Sequence, residues 1–281
     1  MLDIDRIISY ALEEDIGNGD HTSNSCIPEN ANGKAMLIAK EAGVLAGMEI
    51  AKKVFKAIDK NTTFSALMSD GDRIKPGDEI FLVEGKSQSL LKAERLALNF
   101  LQRMSGIATK TAHYVSLIEG TDARLLDTRK TTPNLRALEK LAVRIGGGYN
   151  HRMGLYDMVM IKDNHADFAG GITKAVVRTV EYLKNNGLDL KIEVETRNMD
   201  EIKEALNTNA VHRIMLDNFT PQQLKEAVEL IDKRVETEAS GGITEKNIRD
   251  YALTGVDFIS VGALTHHVKS LDLSLKAQPQ P

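Results

Sequence analysis

The feature that most constrains the fold is a repeated alternation of short apolar runs and helical segments in the C-terminal half of the chain. The apolar runs recur at a spacing of roughly 20 to 30 residues, which is typical of βα units with parallel strands. Six strands fit an incomplete α/β barrel as well as a full one, and we expect an incomplete barrel of six or seven strands. The expected strands are residues 123–127, 158–161, 191–195, 213–217, 237–239 and 258–261.

The N-terminal part has a different pattern, in which helices and strands do not alternate regularly. It predicts an α+β fold, an open-faced sandwich with a small sheet and helices on one side. Residues 90–118 then form one long helix, or two helices that meet near Gly106. The expected elements before it are helices at residues 3–14 and 48–58 and strands at 35–40, 63–67 and 79–84.

We place the domain boundary after residue 104, with an N-terminal sandwich domain at 1–104 and a barrel domain at 105–281. The C-terminal tail is expected to pack back on the N-terminal domain. Four helix N-caps are expected in the barrel, of which Thr220 is the best supported because Pro221 and Gln223 follow it. The other expected caps are Thr173, Asn198 and Thr244.

Composition excludes several classes of protein. The net charge of −4 and the absence of Trp argue against a nucleic-acid surface. The acidic, amphipathic N-terminus predicts no signal peptide, and no apolar run approaches the ~20 residues of a membrane span. Cys26 is the only cysteine, which rules out an internal disulfide and fits a reducing compartment. The expected location is the cytoplasm.

Residues 125–165 form a basic island in this acidic chain, with seven Lys or Arg against four acids. Arg129 and Lys130 directly follow the first expected barrel strand, and Lys162 follows the second. A triple-glycine loop between them delivers His151 and Arg152. Active sites of α/β barrels are built at the end of the barrel where these residues lie. An anionic ligand is therefore expected there.

Not every cation in this island is expected to bind a ligand. Arg136, Lys140 and Arg144 are spaced like the solvated face of an amphipathic helix, for which Thr132 is the expected N-cap and Pro133 the first residue. The cations that follow strands or the glycine loop do not fit such a face. His151 is undecided on pattern alone, because a lone His is more often structural than catalytic.

The later strands end in groups that suit a metal and a phosphate. Glu195 and Asp217 are strand-terminal carboxylates of the kind that hold Mg²⁺, partly through water. Each could instead cap a helix or pair with a barrel lysine. Two turns of small residues could cradle a phosphate with backbone N–H groups, although glycines in such turns are often only steric. The turns consist of Ser240, Gly241 and Gly242, and of Gly262 and Ala263.

The basic island contains three long motifs: Asp127-Thr128-Arg129-Lys130-Thr131, Gly146-Gly147-Gly148-Tyr149-Asn150-His151-Arg152 and Ile161-Lys162-Asp163-Asn164-His165. These motifs resemble the signature of the quinolinate phosphoribosyltransferases, the carboxylating nicotinate-nucleotide diphosphorylases of NAD biosynthesis. A fourth motif, Ala93-Glu94-Arg95-Leu96-Ala97-Leu98-Asn99, matches the family segment whose Arg reaches into the neighbouring subunit's site. Asn134 and Leu141 are mild departures, since the family usually has Gly and often Tyr there.

The resemblance implies transfer of phosphoribosyl from phosphoribosyl pyrophosphate to quinolinate with decarboxylation, in a homodimer or larger assembly with shared sites. Arg129, Arg152 and an incoming Arg95 would bind the ring carboxylates as bidentate forks. The remaining substrate contacts would be Lys130 and Lys162 on diphosphate or carboxylate oxygens and His151 as a donor. The catalytic groups would be these two lysines with Glu195 and Asp217, the carboxylates that would also hold Mg²⁺.

Three alternatives remain open from the sequence. A paralogue of the same fold could act on another aromatic acid, because the motifs fix the phosphoribosyl machinery better than the ring substituents. A lyase could use Lys162 to form a Schiff base with a carbonyl substrate. A non-enzymatic anion-binding protein could have kept the fold, although each motif position carries a chemically competent residue.

Overall fold

The structure is a computed structural model that describes residues 4–278. The strands are β1 (Asn32–Ala39), β2 (Gly43–Val44), β3 (Thr63–Ala66), β4 (Arg73–Ile74), β5 (Glu79–Lys86), β6 (Arg124–Leu126), β7 (Val159–Ile161), β8 (Ile192–Thr196), β9 (Arg213–Asp217), β10 (Glu236–Ser240), β11 (Phe258–Ser260) and β12 (Leu273–Ala277). The helices are α1 (Ile4–Ile16), α2 (His21–Cys26), α3 (Met48–Ile58), α4 (Ser87–Leu117), α5 (Arg136–Ile145), α6 (Asp163–Ala169), α7 (Ile172–Asn186), α8 (Met199–Asn207), α9 (Pro221–Ile231), α10 (Ile248–Ala252) and α11 (Ala263–His266).

The chain forms two compact units that are not continuous in sequence. The first contains the chain up to Ala112, the segment Thr131–Gly147 and the chain from Leu264 onward. The second contains His113–Lys130 and Gly148–Ala263. The expected boundary after residue 104 lies inside α4, whose unbroken hydrogen bonding leaves no linker at that point.

The first unit is built on a four-stranded antiparallel sheet in the order β12-β1-β5-β3. Its C-terminal strand, β12, pairs with β1 in the register Leu37 to Leu275. The apolar face of α3 is buried, and its Phe55 packs with Phe64 and Phe81 in a cluster of tilted and edge-on rings. This is the expected α+β arrangement of a small sheet with helices.

The second unit is built on a six-stranded parallel sheet in the order β6-β11-β10-β9-β8-β7. The edge strand β6 gains one further parallel bridge, from Leu126 to Tyr149. Helices connect successive strands, so the fold is an α/β barrel of six strands with β6 and β7 as its edges. The predicted incomplete barrel is confirmed.

Successive residues on the central barrel strands point to opposite faces of the sheet. One face is apolar and buried, and includes Val194 of β8 and Ile214 of β9. The other face carries charged side chains, which the strand register places side by side: Arg213 is the register partner of Glu193 on one side and of Glu236 on the other. This second face, the charged face of the sheet, leads to the strand ends where the site residues lie.

Gly106 does not break the long helix, because α4 runs through it as one helix. A Cβ at Gly106 would clash with the carbonyl oxygen of Lys269 and lie 3.1 Å from a methyl carbon of Val268. The glycine therefore permits a close approach of the C-terminal segment, and the alternative of two helices is wrong.

The expected start of α5 is also wrong. The helix begins at Arg136 and not at Pro133, because Asn134 adopts a left-handed backbone with φ 65° that interrupts a helix. The expected solvated face of α5 is wrong at Lys140, whose side chain is fully buried. Because both Leu138 and Ala142 are buried beside it, this helix is packed on more than one side.

Two of the four expected caps are confirmed and two are wrong. Asn198 accepts hydrogen bonds from two backbone N–H groups of α8, and Thr220 forms a capping box with Gln223. Thr173 lies inside α7, which starts after Gly171. Thr244 precedes α10, whose N-cap is Asn247. Among the residues that the structure describes, no helix has both the length and the apolar content that a membrane span needs.

Candidate active site

The C-terminal ends of the six barrel strands bring together most of the predicted site residues. All six strands are parallel, so the groups at their C-terminal ends lie at the same end of the sheet. We name this row of strand ends the active edge, which is distinct from the edge strands β6 and β7. At or just beyond the strand ends it carries Asp127, Lys162, Glu195, Asp217, Ser240 and Gly262.

The loops beside β6 carry the guanidinium groups of the active edge. Arg129 and Lys130 are exposed, and the backbone N–H of Lys130 donates to Oγ1 of Thr128. Arg152 is half-buried and donates from Nη1 to the carbonyl oxygen of Met158 at 3.2 Å. Burial and the neighbouring charge of Arg129 lower the pKa of the Arg152 guanidinium. Two like charges held this close favour an anionic ligand between them.

Lys162 and Glu195 form an ion pair at the ends of β7 and β8, with Nζ 3.4 Å from Oε2. The Lys162 side chain is half exposed, whereas that of Glu195 is nearly buried. Burial raises the pKa of the Glu195 carboxyl, the Lys162 charge opposes this, and the negative charge of Asp217 adds to it. For Glu195, the positive charge of Lys162 therefore does not fully offset burial and the negative charge of Asp217.

The turn after β10 is built around Gly241, which has φ +93°. A Cβ there would collide with Asn218, whose backbone N–H donates to the carbonyl oxygen of Ser240 at 2.8 Å. Asn218 in turn donates from Nδ2 to Asp217 at 2.6 Å. This glycine is thus required by the close approach of the turn to the end of β9.

Gly242 completes the same turn, with φ +62° and open space where a Cβ would lie. Its carbonyl oxygen accepts a hydrogen bond from Nδ2 of Asn247, the N-cap of α10. On the neighbouring strand, Gly262 and Ala263 follow β11 and are half-buried. The small residues of both turns leave backbone accessible at the active edge.

His151 is 7 % exposed and contacts protein groups on both sides of its ring. Its Nε2 lies 3.0 Å from Oε2 of Glu193 and 3.4 Å from Oε2 of Glu238, both of them fully buried. Its Nδ1 accepts the backbone N–H of Arg152 at 2.6 Å. Its own backbone N–H donates to Asp127 at 2.8 Å, so the ring and backbone of His151 join two loops of the active edge.

The groups around the His151 ring have opposing effects on whether it binds a second proton. Burial disfavours the charged imidazole, but hydrogen bonds to Glu193 and Glu238 outweigh it and raise the pKa of His151 to about 9. The N–H of Arg152 requires an unprotonated Nδ1. The arrangement in the structure therefore holds one proton on Nε2, and a second proton would displace the bond to Arg152.

Sequence reasoning missed the buried charges beneath the active edge. Arg213 donates to Glu236 at 3.0 Å and to Glu238 at 3.1 Å, and its guanidinium carbon lies 4.0 Å from the centroid of the Phe258 ring. Burial and the charge of Glu238 raise the pKa of Glu193. A signal for these residues was present: charged residues occupy alternate positions at Glu193 and Glu195 and at Glu236 and Glu238, and parallel strands are usually buried on both faces.

His151, Glu193 and Glu238 together offer three donor atoms within 4.8 Å of one another, a set that could hold a divalent metal. Arg213 already supplies a positive charge to Glu238 at 3.1 Å, and Nε2 of His151 lies 3.0 Å from Glu193. Both buried carboxylates therefore already contact a basic side chain of the protein, and Glu195 and Asp217, which are less buried, are the more accessible carboxylates for a cation.

Arg95 lies on α4 in the first compact unit, where its side chain is exposed. It is thus available to a ligand or a second chain. The same helix also carries buried apolar residues, such as Leu96 and Leu98, which follow Arg95 closely in sequence.

Comparison with known proteins matches nearly the whole chain to one family. Residues 20–105 match the model "Quinolinate phosphoribosyl transferase, N-terminal domain", and residues 107–276 match the corresponding C-terminal domain. A mitochondrial quinolinate phosphoribosyltransferase [decarboxylating] of Nicotiana tabacum is 45 % identical over 98 % of this chain and 82 % of its own length. A probable nicotinate-nucleotide pyrophosphorylase [carboxylating] of Bacillus subtilis is 42 % identical over 98 % of this chain and 93 % of its own length.

Solved structures agree with the sequence comparison. NadC from Streptococcus pyogenes superimposes with a TM-score of 0.93 at 41 % identity, covering 98 % of this chain and 97 % of that one. Human nicotinic acid phosphoribosyltransferase, at 12 % identity and a TM-score of 0.65, shares the fold over 100 % of this chain and 75 % of its own. The chain belongs to the quinolinate phosphoribosyltransferase family.

Proposed function

We propose that the chain is a pentosyltransferase that transfers the phosphoribosyl group of phosphoribosyl pyrophosphate to quinolinate with loss of carbon dioxide. The products are nicotinate mononucleotide and diphosphate. The observation that carries this proposal is the active edge itself, where Arg129 and Arg152 lie in the segment that connects β6 to β7, and Glu195 and Asp217 lie at the ends of the central strands β8 and β9. This arrangement of guanidinium groups and carboxylates fits a small dianion that binds beside a sugar carrying diphosphate.

Arg129 and Arg152 are proposed to bind the ring carboxylates of quinolinate. Guanidinium groups suit this task because they bind a carboxylate through two parallel hydrogen bonds. The lowered pKa of Arg152 beside Arg129 is consistent with a site that is completed by an anion. Lys130 and Lys162 are proposed to bind oxygens of diphosphate or of a carboxylate, and His151 to support this wall of the site.

Magnesium fits the carboxylates at the centre of the active edge. Glu195 has a raised pKa through burial and the nearby charge of Asp217, and a hard divalent cation would supply the missing charge. Glu195 and Asp217 would hold Mg²⁺, partly through water. When bound, Mg²⁺ would neutralise charge on the departing diphosphate.

The side chains of this chain contribute by position and charge. As diphosphate leaves the ribose C1, an oxocarbenium-like centre forms, which the carboxylate of Glu195 or Asp217 can stabilise. The quinolinate nitrogen attacks that carbon, and the resulting pyridinium accepts the electron pair of the adjacent C–C bond as carbon dioxide departs. The ring carbon then takes up a proton. Precise placement of both substrates in a water-poor pocket supplies the acceleration.

The turns of small residues at the active edge are proposed to bind phosphate. Gly241 and Gly242 both have a positive φ, and the backbone N–H groups of such turns can bind an anion. Ser240 adds a hydroxyl beside them at the end of β10, and Gly262 with Ala263 forms the neighbouring wall.

We also propose a homodimer with shared sites and a cytoplasmic location. The motif around Arg95 supports the dimer, and the exposed side chain of Arg95 is compatible with it. The dimer can be tested by mixing Arg95→Ala and Glu195→Gln proteins, each inactive alone. Recovery of activity on mixing requires that Arg95 of one chain serve the site of another, and no recovery would contradict a shared site.

The deciding experiment for the function is formation of nicotinate mononucleotide by purified protein from quinolinate, phosphoribosyl pyrophosphate and Mg²⁺. Nicotinate without ATP serves as the control substrate. We expect product from quinolinate alone, and none from an Arg152→Ala variant that remains folded. Binding of phosphoribosyl pyrophosphate without product from either acid would indicate a paralogue with another aromatic acid. Borohydride trapping of Lys162 with a carbonyl compound would instead indicate a lyase.

A further inference from the structure

We propose that Glu193 and Glu238 are positioning residues for Arg152, and that they act on it through the imidazole of His151. This inference rests on the function proposed above, in which Arg152 binds a carboxylate of the substrate. Neither carboxylate belongs to the active edge: both are fully buried on the charged face of the sheet.

The first link is the contact between the carboxylates and the ring. Nε2 of His151 lies 3.0 Å from Glu193 and 3.4 Å from Glu238. These two contacts come from β8 and β10, on either side of β9, so they fix the ring from two directions. A ring held in this way can present only Nδ1 to the loop above it.

The second link is the contact between the ring and the loop of Arg152. Nδ1 accepts the backbone N–H of the next residue, Arg152, at 2.6 Å, so the orientation of the ring is coupled to that of the peptide group before Arg152. Nη1 of Arg152 donates to the carbonyl oxygen of Met158 at 3.2 Å. The position of the guanidinium therefore depends on a backbone segment that His151 contacts. A displacement of the imidazole would therefore move the guanidinium.

The carboxylates themselves have little freedom to move. Glu238 is held by Arg213 at 3.1 Å, and the guanidinium carbon of Arg213 lies 4.0 Å from the centroid of the Phe258 ring. These groups come from β10, β9 and β11, which are neighbouring strands of one parallel sheet. The His151 ring thus contacts side chains that the paired strands of the sheet position, as a precise site requires.

The chemistry of the site explains why such support is needed. Arg152 and Arg129 repel one another, and the lowered pKa of Arg152 reflects this repulsion together with burial. Without an anion between them, two such groups would separate unless the framework held them. Asp127 accepts the backbone N–H of His151 at 2.8 Å and lies two residues before Arg129, so His151 connects the loops of both guanidinium groups.

The test compares Glu193→Gln with Glu236→Gln in the full-length protein. Both changes remove one carboxylate charge from the same face of the sheet, but Glu236 contacts Arg213 and Lys191, whereas Glu193 contacts His151. We expect Glu193→Gln to raise the KM for quinolinate roughly tenfold while kcat and the KM for phosphoribosyl pyrophosphate change by less than about twofold. Glu236→Gln should leave both KM values within about twofold of wild type.

Equal changes in both variants, or equal weakening of both substrates by Glu193→Gln, would overturn the inference in favour of general support of the barrel. His151→Asn provides a second test that leaves both carboxylates in place: its side-chain oxygen can still accept the Arg152 N–H but cannot reach Glu193. We expect it to raise the KM for quinolinate, and a wild-type KM would show that the carboxylates are not needed. Wild-type protein that forms no product would refute the proposed function, whereas active wild type with an unaltered Glu193→Gln variant would refute only this inference.

Discussion

A side chain at Gly241 would occupy the space of Asn218: a Cβ there would lie 2.7 Å from Cγ of Asn218 and 2.9 Å from its backbone nitrogen. Asn218 itself has φ 58° and follows Asp217, one of the two carboxylates of the active edge. The turn after β10 and the end of β9 are therefore fitted to one another, and a change in one will displace the other.

Gly241→Ala is expected to impair both stability and phosphate binding. The clash with backbone and the left-handed φ together should lower the free energy of unfolding by about 2–4 kcal/mol and raise the KM for phosphoribosyl pyrophosphate. Gly242→Ala is the matched control, because φ there is also positive but the space is open; it should lose only about 1 kcal/mol. Denaturant unfolding of both variants checks this. Equal losses of unfolding free energy would show that Asn218 moves to make room for the added Cβ.

The stability of the protein is expected to depend on the ionisation of His151. Its pKa is raised from 6.5 to about 9, so the folded state binds the proton more tightly than the unfolded chain. This contribution is complete below pH 6.5 and is lost as the pH rises toward about 9. The difference in unfolding free energy between wild type and His151→Asn should shrink over this window by at most about 3 kcal/mol.

The bond that Nδ1 accepts from Arg152 reduces this amount, since a second proton on the ring would displace it. Urea unfolding at several pH values measures the difference between the two proteins. A difference that grows with pH would show that the ring is neutral throughout and that its carboxylate neighbours carry the protons.

Asn134 is expected to accept Gly and to reject a β-branched residue. Its φ of 65° is a conformation that Gly adopts freely, Asn tolerates and Val strongly disfavours. Asn134→Gly should therefore change the free energy of unfolding by less than about 0.5 kcal/mol, whereas Asn134→Val should lower it by about 1–3 kcal/mol. Thermal unfolding distinguishes the two, and similar values for both would mean that the loop before α5 relaxes.

Glu139 is expected to be a major source of stability in the first unit. It is 1 % exposed and accepts hydrogen bonds from Arg103 at 2.8 Å and from the backbone N–H of Thr132 at 3.1 Å. Glu139→Ala removes the buried acceptor of both hydrogen bonds and should lower the free energy of unfolding by about 2–4 kcal/mol. The exposed pair of Lys34 and Glu84 is the control, and Glu84→Ala should cost less than about 1 kcal/mol. Equal losses would show that burial does not strengthen the Glu139 contacts.

Local patterns predicted those parts of the fold that local physics determines. The helix expected at residues 48–58 matches α3, and Thr220 caps α9 because its partners Pro221 and Gln223 are adjacent in sequence. The start of α5 could not be predicted in the same way. It depends on the backbone conformation of Asn134, which the residue type permits but does not require.

The strand-end residues of the active edge could also be predicted, because parallel strands place all their C-terminal ends together. The network beneath them could not. Arg213 and Glu238 are far apart in sequence and meet only when β9 pairs with β10, so neither residue has a partner that the sequence identifies. The burial of Lys140 could not be predicted for a related reason. Helical spacing shows which residues share a face of the helix but not how many of its faces are covered by other elements.

The pairing of β12 with β1 has a consequence for the order in which the chain can fold during synthesis. Ala35 pairs with Ala277, so the sheet of the first unit is completed only after residue 277 has left the ribosome. Until then one edge of β1 presents unpaired N–H and C=O groups, the kind of edge that invites pairing with another chain. The second unit has all of its strands between β6 and β11 and can form its sheet first. The N-terminal sheet, although it is made first, is therefore the last to be closed.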